Sequence, residues 1–492
     1  MGFIQDIADE LIGFIAWLWN KAAPPERKSW CAAFYFVAQE DATLNYPETT
    51  LDQKMSEAVA AVTLAASAVE DNVHVVYRTV PSDPVTSDPV AKVVRFLGPE
   101  TGTKFFPDCY DPSTLSFLDT EKDLTCFLNW VYRWCPADYY AIFIWGHSFG
   151  PAGLFEPGSG LKIPKPGLAA LQQAFEAFKA TRVAGDSPQS PPPPDYRKGP
   201  SSTTSPPAAS SSAGATQALN VADKKIEIVL FQDCWMSTLE TAFEIADSTD
   251  RMVASQSLLP IGRLYANFMW PYSDLLQALA AAPFPVDTPN LATAMTNLAE
   301  AMMNLIVQFY VDHFAEVLYL RSIPVTLLDL SKVSGLKSPM SALVAKLVNL
   351  PAAERRPLME PARLVVLDST NPFDPILLAG DGALLDILKL CAALKSVSWP
   401  AQGSLPAQTA AQQAVLDVET ELRKLVKLNK EAQPVGAVPL GFQGVSALHW
   451  PPVGVATDDY ITAAVRISVS AYKNLELVKQ TSWDRLGLEH KP

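Results

Sequence analysis

Two segments of this chain close an apolar run on side chains able to do covalent chemistry. The first is DYYAIFIWG, Asp138 to Gly146, followed at once by His147 and Ser148. The second is IEIVLFQDCWMSTLE, Ile226 to Glu240. A run apolar at nearly every position is what a strand buried on both faces requires. In the second segment Ser237 and Glu240 have the spacing of a capping box, with Leu239, Phe243 and Ala246 on one helical face beyond it. Cys234 is therefore expected between a strand end and a helix start, where the helix dipole favours the thiolate. The same stretch also fits an inert core cysteine, because free Cys is among the most buried residue types.

Two nucleophiles compete. Gly146-His147-Ser148-Phe149-Gly150 is a literal GxSxG, the elbow of α/β-hydrolases, with Ser148 as nucleophile. That elbow needs a helix directly after the serine, and Pro151, Gly153, Pro157, Gly158 and Gly160 follow instead. The other reading pairs His147 with Cys234, imidazole beside thiol at two neighbouring strand ends. Backbone N–H groups of Ser148 and Cys234 would then face an oxyanion. His147 alone would read as a structural histidine.

The elements needed to position these residues can be read along the chain. Ser29 to Gln39, Asn72 to Val80 and Ala91 to Leu97 read as strands. Helices are expected from Thr50, around Leu124 to Trp134, around Gly167 to Ala180, after Pro271 and from Asn290. Ile323 to Leu330 reads as a strand followed by helix to Leu350. Ala383 to Leu394 and Ala410 to Leu428 read as helices, and Gly444 to Pro452 as a late strand. Alternating strands and helices predict an α/β fold, a mostly parallel central sheet flanked by helices with a helix-rich C-terminal portion. In such sheets chemistry collects at the carboxyl ends of the strands.

The expected organisation is an amphipathic N-terminal helix over 1–24, a core over 25–283, and a portion over 284–492 completing the same catalytic unit. Residues 184–222 interrupt the core. Between Gly185 and Gln217 Pro, Ser, Ala and Thr dominate, and little there can be buried, so a disordered internal linker is expected.

Composition removes other classes. A net charge of −14 and no Lys/Arg cluster argue against nucleic acid. Six cysteines without CxxC and five scattered histidines without HExxH suggest neither disulfide framework nor metal, and no cofactor motif is present. No apolar run is long enough to span a bilayer. The N-terminal stretch has Asp6, Asp9 and Glu10 where a signal peptide would be basic, so cytoplasm is the expected compartment.

The chain resembles the clostripain family of caspase-like cysteine peptidases. The likeness rests on Trp30 to Asp41, on Trp145-Gly146-His147-Ser148-Phe149-Gly150, on Gln232 to Glu240, and on Ala254-Ser255-Gln256 through Pro260, Gly262 and Tyr265. Leu328 to Ser331, Gly444 to Ser446 and Trp483 also fit. The resemblance implies a caspase-like fold and a peptidase with His147 as general base and Cys234 as nucleophile, acting on a protein or peptide substrate. It also implies substrate binding at the position of Gln232, and Ser255 and Arg263 are expected to bind substrate beside it. The family's acidic residue two before the cysteine is Gln232 here, and the cation Arg263 lies nearby. The expected S1 pocket therefore prefers a neutral or acidic P1 side chain. Asp233, one residue on, is expected to point to the other face of the strand. The resemblance further suggests cleavage in the linker during activation. A caspase-like scaffold without turnover, or an effector activated by a protein partner, is the reading from another class.

Overall fold

The computed structural model describes residues 26–38, 51–69, 71–80, 93–97, 100–104, 120–146, 148, 150–152, 167–184, 224–260, 269–285, 288–316, 320–364, 384–396, 405–434, 436–437, 439–448 and 472–486. The expected N-terminal helix, the linker beyond Ala184, His147 and Arg263 lie outside the described residues.

The strands are β1 (Lys28–Val37), β2 (Val73–Val80), β3 (Val93–Leu97), β4 (Glu100–Lys104), β5 (Ala137–Trp145), β6 (Ile226–Gln232), β7 (Thr249–Ala254), β8 (Ile323–Asp329), β9 (Leu384–Asp386), β10 (Val426–Ala432) and β11 (Ser446–Leu448). Nine of them form one sheet in the order β10-β8-β7-β6-β5-β1-β2-β3-β4. The five central strands, β7 to β2 in that order, run parallel, and antiparallel strands finish both edges. β9 and β11 pair separately.

The helices are α1 (Leu51–Ala66), α2 (Thr120–Trp134), α3 (Leu168–Ala184), α4 (Leu239–Ile245), α5 (Tyr272–Ala280), α6 (Leu291–Asp312), α7 (Val333–Val348), α8 (Ala352–Met359), α9 (Ile387–Ser396), α10 (Leu405–Leu425) and α11 (Glu476–Thr481). One layer is built from α1, α5 and α6. The other runs α2, α3, α4, α11, α7, α10 and α9, each packed on the next. Covering both faces is why β1 is buried from Trp30 to its end and β8 throughout. An ion pair fixes the flank of the central strands: Arg182 of α3 meets Glu227 of β6 at 3.1 Å and lies 4.6 Å above the Tyr140 ring of β5.

Two expected helices are corrected at their ends. Ala383 to Leu394 begins with the short strand β9, and the stretch to Leu428 leaves α10 at Leu425 to become edge strand β10. At β9 a three-residue apolar run carries no period of its own, and at β10 the mixed stretch Val426 to Ala432 pairs with β8 instead of continuing the helix. A pairing partner decides it.

Candidate active site

β5 and β6 lie side by side, with Trp145 opposite Gln232 in register. The loops leaving both strands therefore start together. Ser148, on the β5 loop, donates its hydroxyl hydrogen to the carbonyl oxygen of Cys234 on the β6 loop. Ser148 is buried, and a three-residue 3-10 turn, Gly150–Ala152, follows it rather than the helix a serine elbow needs. The two loops also interlock through backbone. Trp235 has φ 55°, an unusual conformation for a bulky residue, and Gly150 has φ 57°. A Cβ on Gly150 would come within 2.9 Å of the Trp235 carbonyl oxygen.

The turn at Trp235 delays the helix. α4 begins at Leu239, and its N-cap is Thr238, whose hydroxyl accepts from Thr241 N–H at 3.1 Å. The capping box expected from Ser237 and Glu240 does not form. Ser237 Oγ donates to Gly444 O at 2.6 Å, and Glu240 accepts from Leu448 N–H at 2.8 Å and the Tyr472 hydroxyl at 2.7 Å. Cys234 thus precedes the N-cap Thr238 in the chain instead of capping α4 itself.

What surrounds the sulfur is the loop after β7. Trp235 N–H donates to Ser257 O at 2.9 Å and Ser237 N–H to Ser255 O at 2.8 Å. Leu259 N–H points at Cys234 Sγ from 3.3 Å, with Leu259 O at 3.6 Å. Cys234 keeps 6% of its surface exposed. Ser255 is fully buried, and its hydroxyl accepts from Ser257 N–H at 3.1 Å.

Gln232 closes the other side. The Tyr272 hydroxyl, at the start of α5, donates to Gln232 Oε1 at 2.6 Å, while Gln232 Nε2 is buried without a hydrogen-bond partner. β6 ends at Gln232, and Asp233 follows it fully buried. Asp233 lies near enough to Tyr272 to help push its ionisation up, after burial and Tyr310. Burial holds the Asp233 carboxyl well above the usual carboxylate range, opposed by the Gly146 backbone amide. Neither carboxyl oxygen has a hydrogen bond of ordinary geometry. Tyr310 of α6 accepts from Trp270 Nε1 at 2.8 Å, and burial, with Cys234 contributing, raises its ionisation.

The described site residues Ser148, Cys234, Gln232 and Ser255 therefore come together at the carboxyl ends of β5, β6 and β7. Tyr272, Gln256, Asp386 and Gly444 complete the surroundings without having been singled out as site residues. Gln256 and Gly444 stood inside segments already quoted, but Tyr272 and Asp386 carry no local signal of a partner so distant in sequence. Among the described residues no group of His, Cys, Asp and Glu is arranged to hold a metal. His313, one of the scattered histidines, is half-buried and bonded to Glu316 at 2.9 Å.

The clostripain family model matches residues 214–371, the segment that carries Cys234 and the loop over it. In overall fold the chain is similar to a secreted C11 cysteine protease of Bacteroides thetaiotaomicron in complex with an irreversible peptide inhibitor. The TM-score is 0.53 at 13% identity, covering 93% of this chain and 100% of that one. It is equally similar to another structure of a secreted C11 cysteine protease from the same organism, described as iotapain. There the TM-score is 0.52 at 13% identity, with the same coverage of both chains. No curated protein matches the chain in sequence. The clostripain family match falls on the cysteine segment and a caspase-like fold encloses it, which makes the chain a clostripain-like cysteine peptidase.

Proposed function

We propose that the chain is a cysteine endopeptidase in which His147 is the general base and Cys234 the nucleophile. The observation that carries this is the hydrogen bond from Ser148 to the Cys234 carbonyl, because it ties the residue next to His147 to the cysteine itself. That bond also occupies the hydroxyl that a serine hydrolase would have to leave free for its base. In the proposed reaction His147 takes the thiol proton, Cys234 attacks the scissile carbonyl, and backbone N–H groups of Ser148 and Cys234 face the oxyanion. His147 then returns the proton to the leaving amine, and water releases the acyl group. The test is labelling with an iodoacetamide probe and a fluorophosphonate probe. Thiol labelling lost only in Cys234→Ala supports the reading; serine labelling lost in Ser148→Ala overturns it.

The S1 pocket is proposed to take a neutral or acidic P1 side chain, with Gln232, Ser255 and Arg263 around it. The Tyr272 donation supports this, since it uses the Gln232 acceptor and leaves the amide hydrogens to meet an acceptor on the substrate. A P1-varied peptide library checks it, and clear preference for Arg would sink it.

A silent resting state is the second reading, favoured by the burial of Cys234 beneath Leu259. Opening would come from cleavage in the linker over 184–222 or from a protein partner. Wild type should then split into two fragments of roughly 2:3 by mass while Cys234→Ala stays whole, as a nick in an exposed loop gives. Full activity of an uncut chain would refute cleavage as a requirement. The cytoplasmic placement is kept as a proposal, supported by cysteines that are few for the length and show no disulfide-framework spacing. Recovery of the protein from the culture medium would overturn it. No described helix is long and apolar enough to cross a membrane.

A further inference from the structure

The C-terminal portion reaches the nucleophile through one buried amide. Gln256 and Asp386 are both fully buried, one in the loop over Cys234 and the other at the end of β9. Gly444 N–H donates to Gln256 Oε1 at 2.7 Å, which fixes the amide's orientation and turns Nε2 toward Asp386 Oδ2 at 3.4 Å. Asp386 is itself held, accepting from Gln443 N–H at 2.7 Å and from Lys389 N–H at 3.0 Å. Its charged neighbour is Lys389, whose ammonium lies 2.8 Å from Leu440 O and 4.8 Å above the Phe442 ring. Gly444 also grips the other loop, since its carbonyl accepts from Ser237 Oγ at 2.6 Å. No side chain fits at Gly444: φ is 103°, and a Cβ would meet Val426 at 2.9 Å and Thr326 at 3.0 Å.

We infer that Gln256, clamped between Asp386 and Gly444, is a positioning residue that sets the Cys234 sulfur against the loop above it. The lever is short. Ser255 O and Ser257 O, on either side of Gln256, receive the Ser237 and Trp235 amides that frame Cys234, and Leu259 N–H touches Sγ. Movement of Gln256 shifts both rungs together. An ångström of misplacement in a reacting group costs about 100-fold in rate. Asp386 and Gly444 thus act on Cys234 through Gln256. The inference rests on Cys234 being the nucleophile.

The test replaces Gln256 by Glu in the full chain. Two buried carboxyls then face each other; they share a proton at low pH and repel when both are ionised. At about pH 5 the variant should hydrolyse peptide at close to the wild-type kcat. By about pH 8 kcat should fall roughly 10–100-fold relative to wild type, with KM within about twofold. The rate of Cys234 alkylation by iodoacetamide, followed by mass spectrometry, should diverge from wild type over the same range. Gln256→Met, of equal length without polar atoms, should be slow at both pH values and carries the test if the Glu variant does not fold. A Gln256→Glu profile parallel to wild type, or Gln256→Met at wild-type rate, overturns the inference. Hydrolysis surviving in Cys234→Ala would instead overturn the nucleophile, whereas unchanged Cys234 alkylation in the Gln256 variants overturns the clamp alone.

Discussion

At the scale of single residues the site is built from unusual backbone and from polar groups left short of partners. Trp235 and Gly150 stand back to back in left-handed conformations, and that arrangement holds the Cys234 and Ser148 loops together. Gly150→Ala should therefore destabilise the chain by about 1–2 kcal/mol or more. Gly167→Ala is the control: no atom lies within 4 Å of its added Cβ, and its melting temperature should stay near wild type. Equal losses in the two variants would contradict the interlock. Tyr272 is a second target. Tyr272→Phe removes the donor to Gln232 Oε1 at a cost of about 1 kcal/mol and frees the amide to turn either way. A P1 library should then show weakened selection between acceptor and donor side chains, whereas an unchanged profile would remove Tyr272 from substrate choice. The place of Cys234 just beyond a buried strand was legible because the apolar run Ile226 to Phe231 ends before it. Tyr272 was not, since nothing in its own segment marks a hydroxyl that meets Gln232 across the fold.

At the scale of elements, α4 is pinned from the far end of the chain. Glu240 accepts from Leu448 and Tyr472, and Glu244 accepts from the backbone of Glu476 in α11. Burial is the main cause that lifts Glu240 from the ordinary 4.5 to about 7, and Glu244 likewise to about 7. An acid whose folded pKa is raised stabilises the fold below its unfolded value, and that stability is lost as pH rises through the folded one. For Glu240 the loss between about pH 4.5 and 7 is about 3 kcal/mol. Glu240→Gln keeps the acceptor for Leu448 and Tyr472 but cannot ionise. Thermal melts should show the variant gaining on wild type as pH rises from about 5 to 8; an equal pH slope in both proteins would contradict it. These carboxylates also explain why the capping-box reading failed. Ser237 and Glu240 have the right spacing, but each finds a partner in residues 444–472, and tertiary contacts override local pattern. The central strands and the helices around them were legible because their periods are long. The short strand β9 was not, because three residues carry no period, whereas β11 falls inside the strand expected over Gly444 to Pro452.

At the scale of the whole molecule, a parallel core places two loops from distant sequence side by side, and the C-terminal portion closes over them. Asp386, Gly444, Leu448 and Tyr472 all bond to the Cys234 loop, its helix or the loop above it. The central claim is that His147 and Cys234 act as one catalytic pair across these two loops. It is tested most directly by measuring, in folded wild type, His147→Ala and Cys234→Ala, both peptide hydrolysis and the rate at which iodoacetamide modifies Cys234. The account predicts that either substitution removes at least about 1,000-fold of the hydrolysis. It also predicts that His147→Ala slows modification of a Cys234 still present. Hydrolysis that survives in either variant, or Cys234 modified equally fast without His147, would contradict it.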